Sequence, residues 1–291
     1  MHVGGEPGPA GRASVIIPAH NEEHAISRLL TSLLAEADPD EFEVVVVCNG
    51  CTDATADAAR RAGPRVRVVE SPVPSKTNAL RAGDAESTLF PRLYVDADID
   101  LSTAAARAIV GALSDVRNLA AAPERVIATA GISSPVRQYY RVWQSLPHVK
   151  DGLFGRGVVA VSEAGHARIR ALPALMSDDL AASQAFAPHE RTVVRDAVVV
   201  VHPPRTLRAL VRRRARSVTG NVQLERAGIT RDNARTSVGD LVHLVLRAPH
   251  LMPGAVIFLS VALAARLLAA RQIRRGDFTT WLRDDSRESV T

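Results

Sequence analysis

The sequence has few of the residues that mark several common protein classes. It contains only two cysteines in 291 residues, too few for a disulfide framework, so we expect a reducing compartment. Aromatic residues make up 4% of the chain, and none interrupts the arginine-rich segment 205–216. Binders of single-stranded nucleic acid interleave aromatic platforms with cations. We therefore expect no nucleic-acid partner.

Long apolar runs are also lacking. Residues 1–12 have no apolar core of the kind found in signal peptides, and we expect them to form a flexible leader. The most apolar stretch, 255–265, is followed by Arg266 and falls short of the roughly 20 residues that span a bilayer. We expect a cytoplasmic protein in which segment 249–275 packs as a core helix, lies on the inner face of a membrane, or joins two copies in a homodimer.

The overall composition is that of a globular protein with an anionic partner. Hydrophobic residues make up 46% of the chain and charged residues 23%, which excludes wholesale disorder. The formal net charge is +5, and much of the excess is arginine in the C-terminal third. With nucleic acid set aside, this surplus favours nucleotide phosphates, a lipid phosphate or a membrane surface as partner.

Apolar strands and helical segments alternate four times in the first part of the chain. The predicted strands are 14–18, 41–50, 65–70 and 89–98, with weaker ones at 125–132, 157–165 and 195–204. This alternation predicts the α/β class, with a mostly parallel central sheet that binds ligands at the carboxyl ends of its strands. After Pro204 the composition changes to arginine-rich and then apolar helices. We predict one α/β domain over 13–204 and a helical extension over 205–291.

Alternating aspartates follow the fourth predicted strand. Asp96 and Asp98 come directly after the apolar residues 93–95, at the carboxyl end of that strand. Two carboxylates at alternate positions lie on one side of an extended chain and can hold Mg²⁺ or Mn²⁺ that bridges a diphosphate. A solvated loop is the alternative for these two residues taken alone.

Four sequence blocks appear in order, each at a junction between a strand and a helix. They are VIIPAHNEE, VVVVCNGCTDAT, SKTNALRAGDA and LYVDADIDLS. Together they resemble the family 2 glycosyltransferases of the GT-A fold, which are nucleotide-sugar-dependent and inverting. The resemblance covers roughly residues 13–220. It implies that the α/β domain is a catalytic domain with a Rossmann-like sheet.

The resemblance implies a function for particular residues of the four blocks. Contacts with the donor nucleotide are implied for Pro18, His20, Asn21, Glu22, Asn49, Asp53 and Lys76. Asp96 and Asp98 match the metal-binding Asp-x-Asp motif, with Asp98 as the direct ligand. Cys48 stands where the family has an aspartate that often reads the base, so the donor could carry UDP, GDP or dTDP. Cys48 and Cys51 also form a Cys-x-x-Cys pattern, for which a redox dithiol is the alternative.

Further site residues are implied in the second half of the chain. Asp178 and Asp179 match the acidic pair that supplies the catalytic base, with Asp179 as the base; the alternative is an acidic cap of a helix. His202 matches a histidine that completes the metal shell in several GT-A enzymes, or else it is an ordinary edge residue. The arginine-rich segment of the family, which closes over the diphosphate, corresponds to Arg213, Arg214 and Arg216.

The sequence therefore predicts a metal-dependent inverting glycosyltransferase of the hexosyltransferase type. Its donor would be a nucleotide-diphospho-sugar, and its acceptor a hydroxyl of a glycan, a lipid-linked molecule or a small molecule. A sugar-phosphate nucleotidyltransferase is one alternative, but it would carry a glycine-rich loop after the first strand, and VIIPAHNEE contains no glycine. A non-catalytic protein that binds anions or membranes is the other.

Overall fold

The computed structural model describes the backbone of residues 11–171, 178–226 and 236–274, and the side chains of all of these except 178–181, 220–226 and 272–274. The chain divides into two compact units that interleave in sequence. The sheet unit comprises Met1–Val126, Gly155–Ala171 and Phe186–Val201. The helical unit comprises Ile127–Phe154, Leu172–Ala185 and His202–Thr291. The sequence predicted a domain boundary near residue 204, and the chain passes for the last time from the sheet unit to the helical unit between Val201 and His202. The limits of a catalytic domain stay a prediction.

The sheet has seven strands in the order β3-β2-β1-β4-β6-β5-β7. Their bounds are β1 (Ala13–Ala19), β2 (Phe42–Asn49), β3 (Val66–Ser71), β4 (Arg92–Val95), β5 (Ala120–Ile127), β6 (Val158–Val161) and β7 (Arg191–Val201). Strands β3, β2, β1 and β4 are parallel neighbours, whereas β6 runs antiparallel to both β4 and β5. The mostly parallel α/β sheet with C-terminal helices is confirmed.

The helices of the sheet unit are α1 (Glu23–Leu34), α2 (Thr55–Arg60), α3 (Lys76–Ala85), α4 (Thr103–Ala112) and α7 (Glu163–Arg170). Helices α1 to α4 follow the four parallel strands, as the alternation predicts, and α7 follows the antiparallel strand β6. Helix α1 buries Ile26, Leu29, Leu30 and Leu33, the spacing of one helical face. Strands β1 and β2 are buried along almost their whole length, because they lie between neighbouring strands and are covered on their faces.

The helical unit contains the remaining helices. They are α5 (Ser134–Ser145), α6 (Pro147–Asp151), α8 (Asp178–Ala185), α9 (Leu207–Arg226), α10 (Val238–Arg247) and α11 (Met252–Arg274). Phe258 of α11 stacks on Tyr139 of α5 with ring centroids 5.0 Å apart. Ala265 and Ala269 of α11 pack against Ala215 of α9 in a buried cluster. The apolar C-terminal helix is thus held on one side by α5 and α9.

A buried polar network fixes α3 against β4. The guanidinium of Arg92, which is 7% exposed, donates from Nη1 to Asp84 Oδ1 at 2.8 Å. The hydroxyl of Tyr94 donates to the same carboxylate oxygen at 2.8 Å and lies 2.9 Å from Nδ1 of His166. Hydrogen bonds between buried polar groups are strengthened by the low local dielectric, and these hold α3 and β4 together. Because α3 begins at Lys76 and β4 ends just before Asp96, the network also sets where those two residues lie.

Candidate functional site

The loop between β1 and α1 presents three of the predicted nucleotide contacts. His20, Asn21 and Glu22 form this loop, and Pro18 lies buried in β1 just before it. Asn21 has a φ of +56°, a left-handed conformation that asparagine tolerates better than most residues. Its Oδ1 accepts a hydrogen bond from the backbone N–H of Thr52 at 2.7 Å. The loop is therefore tied to the neighbouring loop after β2.

Side chains of the loop after β2 complete this connection. Asn49, only 5% exposed, donates from Nδ2 to the carbonyl of Ala19 at 2.8 Å. The carbonyl of Asn49 lies 2.6 Å from Nδ1 of His20. Since a carbonyl can only accept, Nδ1 carries the proton, and Nε2 of a neutral His20 is left as an acceptor. The two loops therefore form one rigid platform at the carboxyl ends of adjacent strands.

Asp53 is engaged within the same platform. Its Oδ1 accepts from the backbone N–H of Thr55 at 3.0 Å, and its Oδ2 accepts from the N–H of Glu23 at 3.4 Å. The hydroxyl of Thr55 in turn accepts from the N–H of Glu22 at 2.8 Å. Asp53 is exposed, so it can hold the loop in shape and still face a ligand.

The two cysteines are both free. Burial, and secondarily the neighbouring Cys51, raises the pKa of the Cys48 thiol to about 12. Redox dithiols instead depend on a thiol whose pKa is lowered. Cys48 is 2% exposed and pairs in register with Glu70 on β3. These features favour a structural role for Cys48 over a redox role.

The alternating aspartates after β4 have different surroundings. The Nζ of Lys76 lies 2.8 Å from Oδ1 of Asp96, and the backbone N–H of Asp96 donates to the carbonyl of Gly157 at 2.8 Å. Asp100, the third in the series, forms an ion pair with Arg28. Two of the three carboxylates therefore have a cationic side chain beside them, which offsets the repulsion that such a series would otherwise suffer.

Asp98 lies half-buried between the buried residues Ala97 and Ile99. Carboxylate oxygens at the end of a strand suit Mg²⁺ or Mn²⁺, which leaves other positions to phosphate oxygens and water. No group of three or more His, Cys, Asp or Glu side chains that could hold a metal occurs within the described residues. The carboxylates of Asp96 and Asp98 have the chemistry to hold a cation that takes its other ligands from a phosphate and water. The assignment of Asp98 as the direct metal ligand stays a prediction.

Two predicted catalytic residues lie where only the backbone is described. Helix α8 begins at Asp178, so Asp178 and Asp179 occupy its first turn, while their side chains lie outside the described residues. His202 follows β7 directly and is half-buried. Its assignment as a third metal ligand stays a prediction, as do the roles of the two aspartates.

The predicted arginines lie on α9. Arg213, Arg214 and Arg216 are all partly buried. Within the part of the chain that the structure describes, Nη1 of Arg213 is buried and has no hydrogen-bond partner. A buried guanidinium N–H without an acceptor is costly in free energy. The contact of these arginines with a diphosphate stays a prediction.

Two further residues, Arg156 and Gly157, come just before β6, the neighbour of β4 in the sheet. Arg156, fully buried, donates from Nη1 to the carbonyl of Pro123 at 2.9 Å and to the Glu124 carboxylate at 3.0 Å. Gly157, with a φ of +73°, supplies the carbonyl that holds the N–H of Asp96. A Cβ on Gly157 would lie 2.4 Å from Cγ2 of Ile99. The only sequence signal was the glycine-rich composition of residues 152–157.

Comparison with known proteins gives a family and a fold. A sequence model of the family described as Glycosyl transferase family 2 matches residues 14–168, more than half of the chain. A mannosyltransferase from Pyrobaculum calidifontis, solved with GDP-Man and Mn²⁺, is similar at 23% identity and a TM-score of 0.63, over 92% of this chain and 81% of that one. A comparison with curated protein sequences gave no match.

A second solved structure has the same architecture. It is glucosyl-3-phosphoglycerate synthase from Mycobacterium tuberculosis in complex with Mn²⁺, UDP and glucosyl-3-phosphoglycerate. The identity is 20% and the TM-score 0.56, over 76% of this chain and 82% of that one. At such identities the likeness to both structures concerns the fold.

Proposed function

We propose that this protein, which belongs to glycosyl transferase family 2, transfers a sugar from a nucleotide-diphosphate donor to an acceptor hydroxyl, with a divalent cation and with inversion at the anomeric carbon. The proposal rests on one observation. The loops after β1, β2 and β4 place polar and acidic side chains at the carboxyl ends of three adjacent strands. Open α/β sheets bind ligands at this edge.

The donor nucleotide is assigned to the platform formed by the loops after β1 and β2. His20 offers Nε2 as an acceptor, and Asp53 is exposed beside it in the same platform. Cys48 is too deeply buried to contact a base, so reading of the base falls to the residues around Asn49. The proposal leaves UDP, GDP and dTDP donors open. The transferred sugar is a hexose in the same proposal.

The diphosphate is assigned to the acidic end of β4. Asp98, with Asp96, would hold Mg²⁺ or Mn²⁺, and His202 is the candidate third ligand. When bound, the cation would neutralise negative charge on the departing nucleotide. Lys76 holds the Asp96 carboxylate in place at 2.8 Å and adds positive charge near the diphosphate. Contacts of Arg213, Arg214 and Arg216 with the diphosphate belong to the same proposal, because the family resemblance implies them.

The acceptor hydroxyl is assigned to the acidic start of α8. In the roles that the family resemblance implies, Asp179 takes the proton from the hydroxyl as it attacks the anomeric carbon, and Asp178 shapes the acceptor pocket. A single in-line displacement inverts the configuration. A glycan, a lipid-linked molecule or a small molecule could each supply the hydroxyl. A cytoplasmic location belongs to the same proposal.

Hydrolysis of a panel of donors tests the proposal. UDP-, GDP- and dTDP-hexoses would be incubated with the full chain in Mg²⁺, Mn²⁺ or a chelator, and release of nucleoside diphosphate would be measured. We expect slow cation-dependent release from donors of one base. In a parallel mixture of a nucleoside triphosphate and a sugar phosphate, release of pyrophosphate would instead favour the nucleotidyltransferase. No turnover and no donor binding in any mixture would favour the non-catalytic alternative.

A further inference from the structure

An extended apolar surface covers the outer side of two helices of the helical unit. We call it the apolar face, and its residues are Val238, Val242 and Leu246 of α10 and Met252, Val256, Leu259, Leu263 and Leu267 of α11. Each of these side chains is between 47% and 76% exposed. Their spacing of three or four residues places them along one side of each helix. Isolated exposed apolar residues are ordinary, but eight of them along the exposed sides of two successive helices point to an interaction surface.

The apolar face is distinct from the side of α11 that packs within the unit. The packed side consists of Ala255, Phe258, Val261, Ala265 and Ala269, all at most 7% exposed. Gly254 belongs to this side as well, because a Cβ there would lie 2.8 Å from the carbonyl oxygen of Gln138 on α5. Helix α11 therefore carries apolar side chains on its exposed side as well as on its packed side, with Ser260, Arg266 and Arg271 as the exposed polar exceptions. A helix of that kind is usually fully enclosed by protein or lipid.

The segment Pro249–Arg271 is long and apolar enough to cross a membrane, by length and composition alone. Its packing argues against crossing. Helix α9, which packs against it through Ala215, carries Arg212, Arg213 and Arg214 at partly buried positions. Lipid on all sides of α11 would require it to leave α9, or would bring these arginines into hydrocarbon at a high cost in free energy. An orientation parallel to the membrane surface avoids both.

The charged side chains along the two helices of the apolar face are mostly positive. Between residues 236 and 271 the charged side chains are Arg247, Arg266 and Arg271, all exposed, and one carboxylate, Asp240. Asp240 is engaged in the cap of α10, where its Oδ2 accepts from the N–H of Ser237 at 2.8 Å. An apolar surface bordered by exposed arginines complements anionic lipid headgroups. A second copy would bring like charges together.

We propose that the apolar face binds the surface of a membrane that contains anionic lipids, with α10 and α11 lying in the headgroup region. The proposal goes beyond glycosyl transfer and does not depend on it. Apolar side chains would enter the boundary between headgroups and acyl chains, while Arg247 and Arg266 contact lipid phosphates. The surface is larger than the predicted segment 249–275, because α10 contributes three of its residues.

Vesicle binding by the full chain tests the proposal. Vesicles of phosphatidylcholine, alone or with one part in three of phosphatidylglycerol, would be separated by flotation and the bound fraction measured. We expect binding to the anionic vesicles. The triple variant Val256→Gln/Leu259→Gln/Leu263→Gln should weaken binding to the anionic vesicles at least about tenfold, because each substitution removes an apolar side chain that would be buried in the membrane. The matched control Val116→Gln/Val126→Gln/Val198→Gln changes three exposed valines of the sheet unit and should bind as the unchanged protein does.

A second pair of measurements separates charge from apolar contact. Arg247→Gln and Arg266→Gln should each weaken binding to the anionic vesicles by about fivefold, and high salt should have a similar effect. Sodium carbonate should release the protein from the vesicles, because it lies on the surface. Unchanged thermal unfolding and donor binding would show that the variants are folded.

Several outcomes would overturn the proposal. One is no binding of the unchanged protein to either kind of vesicle, and another is equal binding by the apolar triple variant. If the protein is a dimer without vesicles, has no vesicle affinity, and becomes a monomer in the triple variant, the occupant is a second copy. Resistance to carbonate would show that α11 crosses the bilayer.

Discussion

At the scale of single residues, two of the alternating aspartates are positioned by cationic side chains from other parts of the chain. Asp96 lies beside Lys76, and Asp100 lies beside Arg28. Pairs this exposed add little to stability, about 1 kcal/mol at most, so their main effect is to position the carboxylates. Asp98, between them in sequence, is the one assigned to the cation. The partners of Asp96 and Asp100 are both distant from them in sequence.

The sequence predicted which loops form the candidate site but not the side-chain pairs between distant parts of the chain. The residue types of the four blocks identified the loops that form the candidate site, because each block stands at the end of a strand. Two ion pairs could not be predicted. Arg28 pairs with Asp100, 72 positions away in sequence, and the buried Arg156 pairs with Glu124, 32 positions away. Such contacts depend on strand order, which the sequence pattern leaves open.

The acidic pair at the start of α8 gives a prediction at this scale. Asp179→Asn keeps the size of the side chain but cannot accept a proton, so transfer should fall at least about a hundredfold. The dissociation constant of the donor should change little, because donor contacts are assigned to other residues. Initial transfer rates and calorimetric donor binding would be measured on the same preparations.

Asp178→Asn is the matched control for this prediction, and its rate should fall between those of Asp179→Asn and the unchanged protein. An inactive Asp178→Asn beside an active Asp179→Asn would move the base to Asp178. Near-normal rates in both variants would leave the pair as a helix cap only.

At the scale of elements, the strands that sequence predicts best are those rich in β-branched residues. Strands β1 to β4 fall where the apolar runs predicted them, and the helices between them follow. Strand β5 begins at Ala120, whereas the sequence pattern predicted a strand over 125–132. Its first residues, three alanines and Pro123, have low strand propensity. Pairing with β6 outweighs that propensity, and periodicity cannot reveal pairing.

The close packing of α3 on β1 gives a stability prediction. A Cβ on Gly83 would lie 2.4 Å from Cγ2 of Ile16, a methyl on a stiff β-branched side chain. Gly83→Ala should therefore lower the free energy of unfolding by about 1–3 kcal/mol, although alanine favours helices. Denaturant unfolding of the purified protein would measure the change.

Gly111 in α4 is the control, because a Cβ there meets nothing within 4 Å. Gly111→Ala should raise the free energy of unfolding by up to about 1 kcal/mol through helix propensity alone. If both variants were stabilised equally, α3 would lie further from β1 than the structure shows.

At the scale of the whole molecule, the chain combines a sheet unit and a helical unit that interleave in sequence. Composition predicted a globular protein with a basic surplus, and the change after Pro204 predicted the basic and apolar helices. The interleaving was not predicted, because segments 127–154 and 172–185 resemble ordinary connections within an α/β domain. The helices of these segments join the helical unit because they pack against distant parts of the chain, as α5 packs against α11. A sequence pattern does not reveal such packing.

The central claim is that a cation held by Asp98 binds the donor diphosphate. Calorimetric titration of the donor, with and without Mn²⁺, tests it most directly in the unchanged protein, Asp98→Asn and Asp100→Asn. The account predicts that Mn²⁺ strengthens donor binding in the unchanged protein and in Asp100→Asn, which removes the negative charge beside Arg28. It predicts that Mn²⁺ has no such effect in Asp98→Asn. Equal strengthening by Mn²⁺ in Asp98→Asn and Asp100→Asn would contradict the account.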